Sequence, residues 1–393
     1  MNIPLLESQD IAWFRELSAA RGAAAALARR VGLDEQRAGQ VALAVSEAAT
    51  NLSRHAVDGA ILLRAVRGAE LAGVEFVAVD SGPGMADVPD AMLDGSSSAG
   101  TLGIGLGAVA RLADVFDIHS LPGRGTVLAA RFWPRNAAEQ AQGGHARTAE
   151  PVVDGVTRAI SGEQQCGDAW AARLDCGPQN GEAAPQAGPA APTRPERRPG
   201  VVDWVALTGV RPSSTSTTGP TPMPTAGSAL LVMLCDGLGH GPLAARAAEA
   251  AVRAFREGRA RTPEQAMQEI DRALRGTRGA AVAIARIEPE AGRVLFCGIG
   301  NIAAALLGDG SRVNLVSHPG IVGHQMRSVR TFEQPLPAGG ALVMHSDGLT
   351  ERWAQDSLPG LLRHSPVVIA GQLLREAGIR HDDAGVVVAK GAW

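Results

Sequence analysis

Two sets of side chains in this sequence have the types and spacing needed to bind metal and phosphate. In the first, Glu47, Asn51 and Arg54 fall at i, i+4 and i+7 of a helical segment and so share one face. In the second, four apolar runs end in aspartate, within CGDAW, LCDGLGHG, HSDGL and HDDAG. One such residue alone is compatible with a helix surface or a turn. Several carboxylates at strand ends favour a shared site for Mg²⁺ or Mn²⁺.

Two glycine-rich loops follow the first set in an order that is typical of a nucleotide site. Asp80 ends an apolar run and enters DSGPGM, and GTLGIGLG then opens a further helix. The glycines concerned are Gly82 and Gly84 in the first loop, and Gly103, Gly105 and Gly107 in the second. Glycine lets the backbone approach a ligand closely, and amides at the start of a helix hold phosphate. The order of helix face, DxGxG and GxGxG predicts a nucleotide site.

The lysine content excludes two familiar ways of binding that nucleotide. Lys390 is the only lysine of the chain, and no GxxxxGK motif surrounds it. A Walker loop and a eukaryotic-type kinase each need a lysine on the phosphates. The LCDGLGHG loop has neither a lysine nor a following Ser or Thr, so it is better suited to turning Asp236 towards metal than to holding phosphate.

Composition narrows the class of protein further. The net charge is -3, aromatic residues make up 3% and Tyr is absent, which disfavours nucleic acid as a partner. No apolar run is long enough to span a membrane, and the acidic start MNIPLLESQD differs from a signal peptide. None of the four cysteines forms a CxxC pair. We therefore expect a protein of the cytoplasm without a membrane partner.

The elements that must position these residues fall into two domains. Helices are predicted over 11–30 and 34–56, and strands over 60–66, 74–79, 115–119 and 126–132. The second helix carries a buried stripe of Val41, Val45, Ala48 and Leu52. We predict a first domain over 1–133, a linker over 134–155 and a second domain over 156–393. An insert at 177–227, rich in Pro, Ala, Gly, Ser and Thr, is predicted to be disordered.

The second domain is predicted to mix strands and helices around its aspartates. Helices are expected at 242–257, 263–275 and 366–376. Strands are expected at 280–287, 293–297 and 302–307. The whole chain is thus α/β and α+β in class.

The order of motifs over residues 1–133 resembles the GHKL ATPase superfamily, and most closely its serine kinases that regulate anti-anti-sigma factors. The resemblance implies an α/β sandwich that binds ATP with Mg²⁺. It implies Glu47 as general base, Asn51 as the Mg²⁺ ligand and Asp80 as acceptor from the adenine amino group. It also implies that Gly123, Gly125 and Thr126 of PGRGT support the adenine pocket.

Residues 156–393, without the insert, resemble the SpoIIE-type metal-dependent serine/threonine phosphatases. The motifs that carry this are DGLGHG, FCGIGN, PGIVG and SDGL. The resemblance implies an α-β-β-α sandwich with two Mg²⁺ or Mn²⁺ ions that activate a water. The implied ligands are Asp168, Asp236, the Gly237 carbonyl, Asp347 and Asp382, with Asp383 as second choice at the last position.

Together the two resemblances imply a bacterial partner-switching regulator in signal transduction or stress response. Its kinase domain would phosphorylate, and its phosphatase domain dephosphorylate, a STAS-type anti-anti-sigma partner, with a sigma factor or a stressosome-like complex as further candidates. An alternative is a phosphatase whose GHKL domain only sequesters a partner in an ATP-gated way. Glu47 favours catalysis, because pure binding needs no base. A two-component relay is disfavoured because no acceptor histidine precedes the ATPase domain.

Overall fold

The computed structural model describes residues 11–67, 72–93, 105–135, 152–175, 229–326, 329–351, 353–379 and 381–391. The described parts of Met1–Asp175 and Ala229–Trp393 belong to one compact unit. The predicted insert, most of the predicted linker and Gly103 lie outside the described residues. Within the described residues, no helix has both the length and the apolar character needed to span a membrane.

The N-terminal elements form a five-stranded antiparallel sheet in the order β1-β2-β3-β5-β4. The elements are β1 (Ile11–Phe14), α1 (Leu17–Arg30), α2 (Glu35–His55), β2 (Ala60–Arg67), β3 (Ala72–Asp80), α3 (Val88–Ala91), α4 (Gly105–Leu112), β4 (Val115–Leu121) and β5 (Gly125–Phe132). The predicted helix over 11–30 is wrong at its start, because Ile11–Phe14 pairs with β2 at the sheet edge. An edge strand of four residues is too short to show its own periodicity.

Helix α2 is the element that carries the predicted kinase residues. Asp34 begins it as N-cap, since its side chain accepts a hydrogen bond of 2.7 Å from the Arg37 amide. The predicted stripe of Val41, Val45 and Leu52 is buried. It packs with helices α1 and α4 against one face of the sheet. The opposite edge of the helix is left to present Glu47 and Asn51.

The C-terminal elements form two five-stranded sheets packed face to face. Their strand orders are β13-β10-β9-β8-β7 and β12-β11-β14-β15-β6. The elements are β6 (Val153–Arg158), β7 (Asp168–Asp175), β8 (Ala229–Gly237), α5 (Pro242–Glu257), α6 (Pro263–Leu274), β9 (Ala280–Glu288), β10 (Arg293–Ile299), β11 (Ala303–Gly308), β12 (Ser311–Leu315), β13 (Phe332–Pro335), β14 (Ala341–His345), α7 (Pro366–Ala377) and β15 (Ala384–Lys390). Strand β6 begins inside the predicted linker, because it pairs with β15 from Val153 onwards.

Helices cover both outer faces of this sandwich, which confirms the predicted α-β-β-α fold class. Helices α5 and α6 pack on the first sheet through Phe255, Met267 and Ile270. Helix α7 packs on the second sheet through Ile369 and Leu373. The faces between the sheets are filled by a separate apolar cluster. Burial of such side chains contributes roughly 25 cal/mol per Å² of apolar surface.

Helix α7 also packs on the N-terminal sheet, so one helix serves two domains. All of its residues are buried except Arg375 and Glu376, as expected of a helix that is apolar on every side. A Cβ atom at Gly371 would lie 3.0 Å from Val127 Cγ1 and 3.6 Å from Val77 Cγ1. The helix therefore approaches β3 and β5 as closely as a glycine allows.

Four buried charges join the N-terminal sheet to β6. Arg64 donates to Glu75 Oε1 at 2.8 Å and to Asp154 Oδ1 at 2.6 Å. Arg131 donates to Glu75 Oε2 at 2.8 Å and to Asp154 Oδ2 at 2.9 Å. The four side chains are at most 5% exposed. We call this set the charge tetrad; its two positive and two negative charges balance.

The start of α7 is held by a carboxylate of the N-terminal sheet. Asp117 of β4 accepts hydrogen bonds from the Ser365 amide and hydroxyl, each at 2.6 Å, and from His364 Nδ1 at 2.8 Å. Burial works to raise the pKa of Asp117, but these hydrogen bonds outweigh it and hold the pKa at about 2. Lys390 Nζ donates to the carbonyl of His364 at 2.8 Å.

Candidate functional site

Strand register brings the first pair of predicted metal ligands together. Strands β7 and β8 are antiparallel, and Asp168 at the start of one lies opposite Asp236 near the end of the other. Asp236 lies within hydrogen-bonding reach of both Asp168 and Asp347. Three carboxylates from three strand ends thus form a contiguous row at one edge of the sandwich. We call this row, together with Asp382, the carboxylate cluster.

Asp168 is the most deeply buried member of the carboxylate cluster. Its Oδ2 accepts a hydrogen bond of 2.6 Å from Ser346 Oγ, whereas its Oδ1 is buried without a partner. Burial, followed by the charge of Asp236, raises the pKa of Asp168 well above its usual range. A buried carboxylate oxygen without a donor is costly unless a cation compensates it.

Asp236 shows the same shortage of positive charge. Burial first, and then the charges of Asp347, Asp382 and Asp383, together raise its pKa to about 7. Like charges gathered at low dielectric disfavour ionisation, and a bound cation removes that penalty. The charged groups that act on Asp236 are thus other carboxylates.

The glycines after Asp236 fold the loop back onto the next helix. A Cβ at Gly237 would lie 2.3 Å from the Ala244 carbonyl oxygen, so only glycine fits against the first turn of α5. Gly239 and Gly241 have φ of 85° and 73°, which other residues rarely adopt. The Leu238 amide donates to the Gly279 carbonyl at 3.0 Å. That the Gly237 carbonyl is a metal ligand stays a prediction.

The last two aspartates of HDDAG differ in what their side chains do. Asp383 Oδ1 and Oδ2 accept hydrogen bonds of 2.7 Å from the amides of Ile160 and Gly167. Its carboxylate is therefore committed to holding the segment that leads into β7. Asp382 accepts a single amide hydrogen bond, of 2.9 Å from Asp383 to its Oδ1, and its charge adds to burial in raising the pKa of Asp347. This favours Asp382 over Asp383 as the cation ligand.

The donor set of the carboxylate cluster fits hydrated divalent cations. Across the described ranges, no group of three or more His, Cys, Asp or Glu side chains forms a ready metal cage. Mg²⁺ usually keeps several waters and takes one or two carboxylates directly, so a closed cage is not required. Two observations favour a cation site here. Asp168 Oδ1 is buried without a hydrogen-bond partner, and the pKa of Asp236 is raised.

The predicted ATP site takes residues from α2 and from the end of β3. Glu47 and Asn51 are both half-buried on one face of α2. The Asp80 carboxylate accepts a hydrogen bond of 2.7 Å from the Gly82 amide. Burial raises the pKa of Asp80, and this hydrogen bond and the charge of Arg375 oppose the rise. The carboxylate remains available to accept from an amino group.

The glycines of this site allow two loops to cross. A Cβ at Gly125 would lie 2.0 Å from the Asp80 carbonyl oxygen, and one at Gly84 would lie 2.0 Å from the Leu121 carbonyl oxygen. Both glycines have positive φ, of 80° and 65°. Thr126 Oγ1 lies 2.9 Å from Ser120 Oγ beside them. DSGPGM and PGRGT are therefore packed against each other, as an adenine pocket requires.

The second glycine loop is only partly described. Helix α4 begins at Gly105, and a Cβ at Gly107 would lie 2.3 Å from the Met92 carbonyl oxygen. Gly103 lies outside the described residues. The contribution of these glycines to a phosphate site therefore stays a prediction.

Three residues near the two sites have no role predicted from the sequence. Ser346 fixes Asp168, and Asn301 donates from Nδ2 to Asp347 Oδ2. Both stand inside motifs that were recognised, HSDGL and FCGIGN, so their polar side chains were the available signal. Arg375 lines the same cleft as Asp80, although it lies in the C-terminal domain. No local pattern reveals that contact, because it depends on how α7 docks.

Comparison with protein families finds both halves of the chain. Residues 13–132 match the family described as histidine kinase-like ATPase domain, and residues 226–390 match the family described as stage II sporulation protein E (SpoIIE). The second match begins after β6 and β7, which belong to the same two sheets. The limits of the domains as predicted are not tested by these matches.

Individual relatives are similar to parts of this chain. The serine/threonine-protein kinase RsbT of Bacillus subtilis (strain 168) is 35% identical over 120 residues, which are 30% of this chain and 90% of that protein. A solved structure from work on the bacterial stressosome is 24% identical, and the match covers 61% of this chain and 98% of that chain with a TM-score of 0.43. The phosphatase domain and regulatory fragment of SpoIIE from Bacillus subtilis is 14% identical, covers 82% of this chain and 80% of its own, and has a TM-score of 0.40. These structural likenesses are partial, and no residue role follows from them.

Proposed function

This chain belongs to the RsbT-type serine/threonine kinases through its histidine kinase-like ATPase domain and joins that domain to a SpoIIE phosphatase domain, and we propose that it sets the phosphorylation state of a STAS-type anti-anti-sigma partner. The kinase domain would add phosphate to a serine or threonine of the partner, and the phosphatase domain would remove it. The family matches and the RsbT relative support an enzyme of partner switching with a kinase domain and a phosphatase domain. The partner, the metal ions and the location in the cytoplasm are proposals.

One observation carries the phosphatase half of the proposal: Asp168, Asp236 and Asp347 meet in one row at a sheet edge. Divalent cations bound there would lower the pKa of a coordinated water and polarise the phosphoryl group. The residues of the chain hold the cluster in place, since Ser346 donates to Asp168 and Asn301 donates to Asp347. No nucleophilic side chain is needed for this reaction.

The kinase half of the proposal rests on Glu47, Asn51 and Asp80. Asp80 would accept from the adenine amino group, and Asn51 would hold Mg²⁺ at the phosphates. Glu47 lies one helical turn before Asn51 and would take the proton of the attacking hydroxyl. Asp80 is half-buried, which would strengthen the hydrogen bond that it accepts from adenine relative to one in bulk water.

The phosphatase activity can be tested without the partner. With Mn²⁺ and para-nitrophenyl phosphate, we expect Asp236→Ala to lower turnover by about 10²–10³-fold, the range for loss of one strong electrostatic stabiliser. The exposed Asp309 lies in the turn between β11 and β12, and Asp309→Ala serves as the control that keeps turnover. Equal turnover of the wild type and Asp236→Ala would remove the metal-centre assignment.

The kinase activity needs a protein acceptor. A purified STAS-domain protein is incubated with ATP and Mn²⁺ and its phosphate is counted by intact mass. We expect Asp236→Ala to accumulate phosphate on the acceptor, and the added exchange Glu47→Gln to lower that rate by about 10²–10⁴-fold, as for loss of a general base. If no variant adds phosphate while the wild type still removes it, the ATPase domain acts as an ATP-gated sequestering module.

A further inference from the structure

Arg278 lies beside the loop that carries Asp236. Strands β8 and β9 are antiparallel and pair Asp236 with Ala281. Continued past the ends of the strands, the same register sets Arg278 opposite Gly239. The Arg278 Nη1 lies 2.9 Å from the place that a Cβ of Gly239 would take, so the missing side chain leaves room for the guanidinium. Three residues of chain span at most about 10 Å, so this guanidinium lies at the rim of the carboxylate cluster.

The backbone on both sides of Arg278 is held in place by hydrogen bonds. Thr277 Oγ1 accepts from the Gly279 amide at 3.0 Å and donates to the Leu274 carbonyl at 2.7 Å. The Leu238 amide donates to the Gly279 carbonyl at 3.0 Å, which ties the turn to the loop after Asp236. A side chain on a fixed turn loses less freedom when it binds a ligand than one on a mobile segment does.

The positive charge of Arg278 is not used inside the protein. Its side chain is exposed, and none of the residues that the structure describes forms a hydrogen bond or an ion pair with its guanidinium. His240, a basic group of the same loop, lies 3.4 Å from Glu163 Oε1, so a carboxylate already faces it. The segment SGEQQCGD, which leads into Asp168, contains neither Lys nor Arg. Arg278 therefore offers an unpaired cation to an anion that approaches the cluster.

We propose that Arg278 binds the phosphate group of the substrate in the phosphatase site. The inference rests on the proposed function of the carboxylate cluster. A phosphoserine carries a charge of about −1.5 to −2 at pH 7, and the guanidinium fork matches two phosphate oxygens at once. An arginine keeps its proton in proteins, so its task is to bind and not to move a proton. Its loss should therefore act on substrate affinity more than on the rate of the bound complex.

The test measures kcat and KM for para-nitrophenyl phosphate with Mn²⁺ on the full chain, and the inhibition constant of inorganic phosphate. The variants are Arg278→Gln and Arg278→Lys, with Arg253→Gln as control. Arg253 is exposed on α5, about 16 Å along the helix from Pro242. We expect Arg278→Gln to raise KM and the inhibition constant about tenfold, as for loss of one hydrogen bond to a charged group. The value of kcat should change much less, and Arg278→Lys should restore part of the loss.

Thermal melts give a second readout that does not depend on turnover. With Mg²⁺ present, inorganic phosphate should stabilise the wild type and Arg253→Gln, and should stabilise Arg278→Gln much less. Mg²⁺ alone should stabilise all three proteins equally, because Arg278 does not bind the cation. The same melts show that each variant is folded.

The outcomes separate the inference from the function on which it rests. If Arg278→Gln keeps the wild-type KM and inhibition constant while Asp236→Ala loses turnover, the phosphate-binding role is wrong and the phosphatase site stands. The role is also wrong if kcat falls at unchanged KM, or if Mg²⁺ no longer stabilises Arg278→Gln, since the effect would then lie in the chemistry or in the metal loop. If the wild type has no turnover, or Asp236→Ala keeps it, the phosphatase assignment is wrong and the inference falls with it.

Discussion

Two clusters of buried charge in this molecule are built on opposite plans. The charge tetrad sets two arginines against Glu75 and Asp154 and leaves no excess charge. The carboxylate cluster gathers aspartates and raises the pKa of Asp236 to about 7 through burial and its acidic neighbours. The first cluster is complete within the chain, and the second requires a partner from solution. Burial of charge therefore joins two domains in one place and, by our proposal, serves cation binding in the other.

The largest expected effect concerns the tetrad. Arg64→Met should lower the free energy of unfolding by about 3–5 kcal/mol, because it leaves Glu75 and Asp154 buried with too little positive charge. Denaturant titration measures it. Arg29→Met is the matched control: Arg29 pairs with Glu35 on the surface, where solvent screens the pair, so its loss should leave the free energy of unfolding nearly unchanged. Similar losses for both variants would show that the tetrad is solvated.

The next effect concerns the carboxylate cluster and has the opposite sign. Without divalent cations, Asp236→Asn should be more stable than the wild type by about 1–2 kcal/mol, because it removes one of several like charges. Mn²⁺ at about 100 times its dissociation constant should stabilise the wild type by about 2.7 kcal/mol. Asp236→Asn should not respond. Thermal melts with EDTA and with Mn²⁺ test both statements, and a variant that is less stable in EDTA would contradict the comparison.

Asp117 is intermediate between the two clusters, because it is a single carboxylate whose hydrogen-bond donors are both neutral and basic. Its pKa of about 2 lies below the ordinary 3.8. A carboxylate with a lowered folded pKa stabilises above its unfolded pKa, and this stability is lost as pH falls through the folded value. Asp117→Asn should therefore cost about 2 kcal/mol at pH 7 and progressively less from pH 4 to pH 2. Unfolding at several pH values measures this; a pH-independent difference would assign it to packing.

The smallest effect compares two helical glycines. Gly22 of α1 is exposed and has open space at its Cβ position, whereas Gly371 of α7 faces Val127 at 3.0 Å. Gly22→Ala should raise the free energy of unfolding by about 0.5–1 kcal/mol through helix propensity. Gly371→Ala should lower it by about 1 kcal/mol through overpacking at the domain junction. Stabilisation by both exchanges would show that α7 can move away from the sheet.

The fold class and most elements could be predicted from sequence because they depend on local periodicity. The stripe of α2 and the apolar runs of β8 and β9 are such cases. Strand β1 could not be predicted, because its pairing with β2 is a tertiary contact across an intervening helix pair. The charge tetrad had a visible signal, since Arg64 and Glu75 interrupt apolar runs, but no sequence rule states which charges meet.

The residues of the candidate sites also divide into those that the sequence could predict and those that it could not. Asp168 and Asp236 could be named from their motifs, and antiparallel pairing then sets them opposite each other. Ser346 and Asn301 lie in recognised motifs, but no role was predicted for their side chains. The position of Arg375 in a cleft that Asp80 also lines could not be predicted from the sequence, because it depends on the docking of an otherwise apolar helix.

The position of the only lysine makes it a natural chemical reporter. Lys390 donates its amine to the carbonyl just before the first turn of α7. Acylation with an ester reagent would label one ε-amine in the entire chain, so mass spectrometry would give a single unambiguous signal for that amine. The labelling rate would then follow the loosening of the start of α7 from β15, with ATP or Mn²⁺ added in turn.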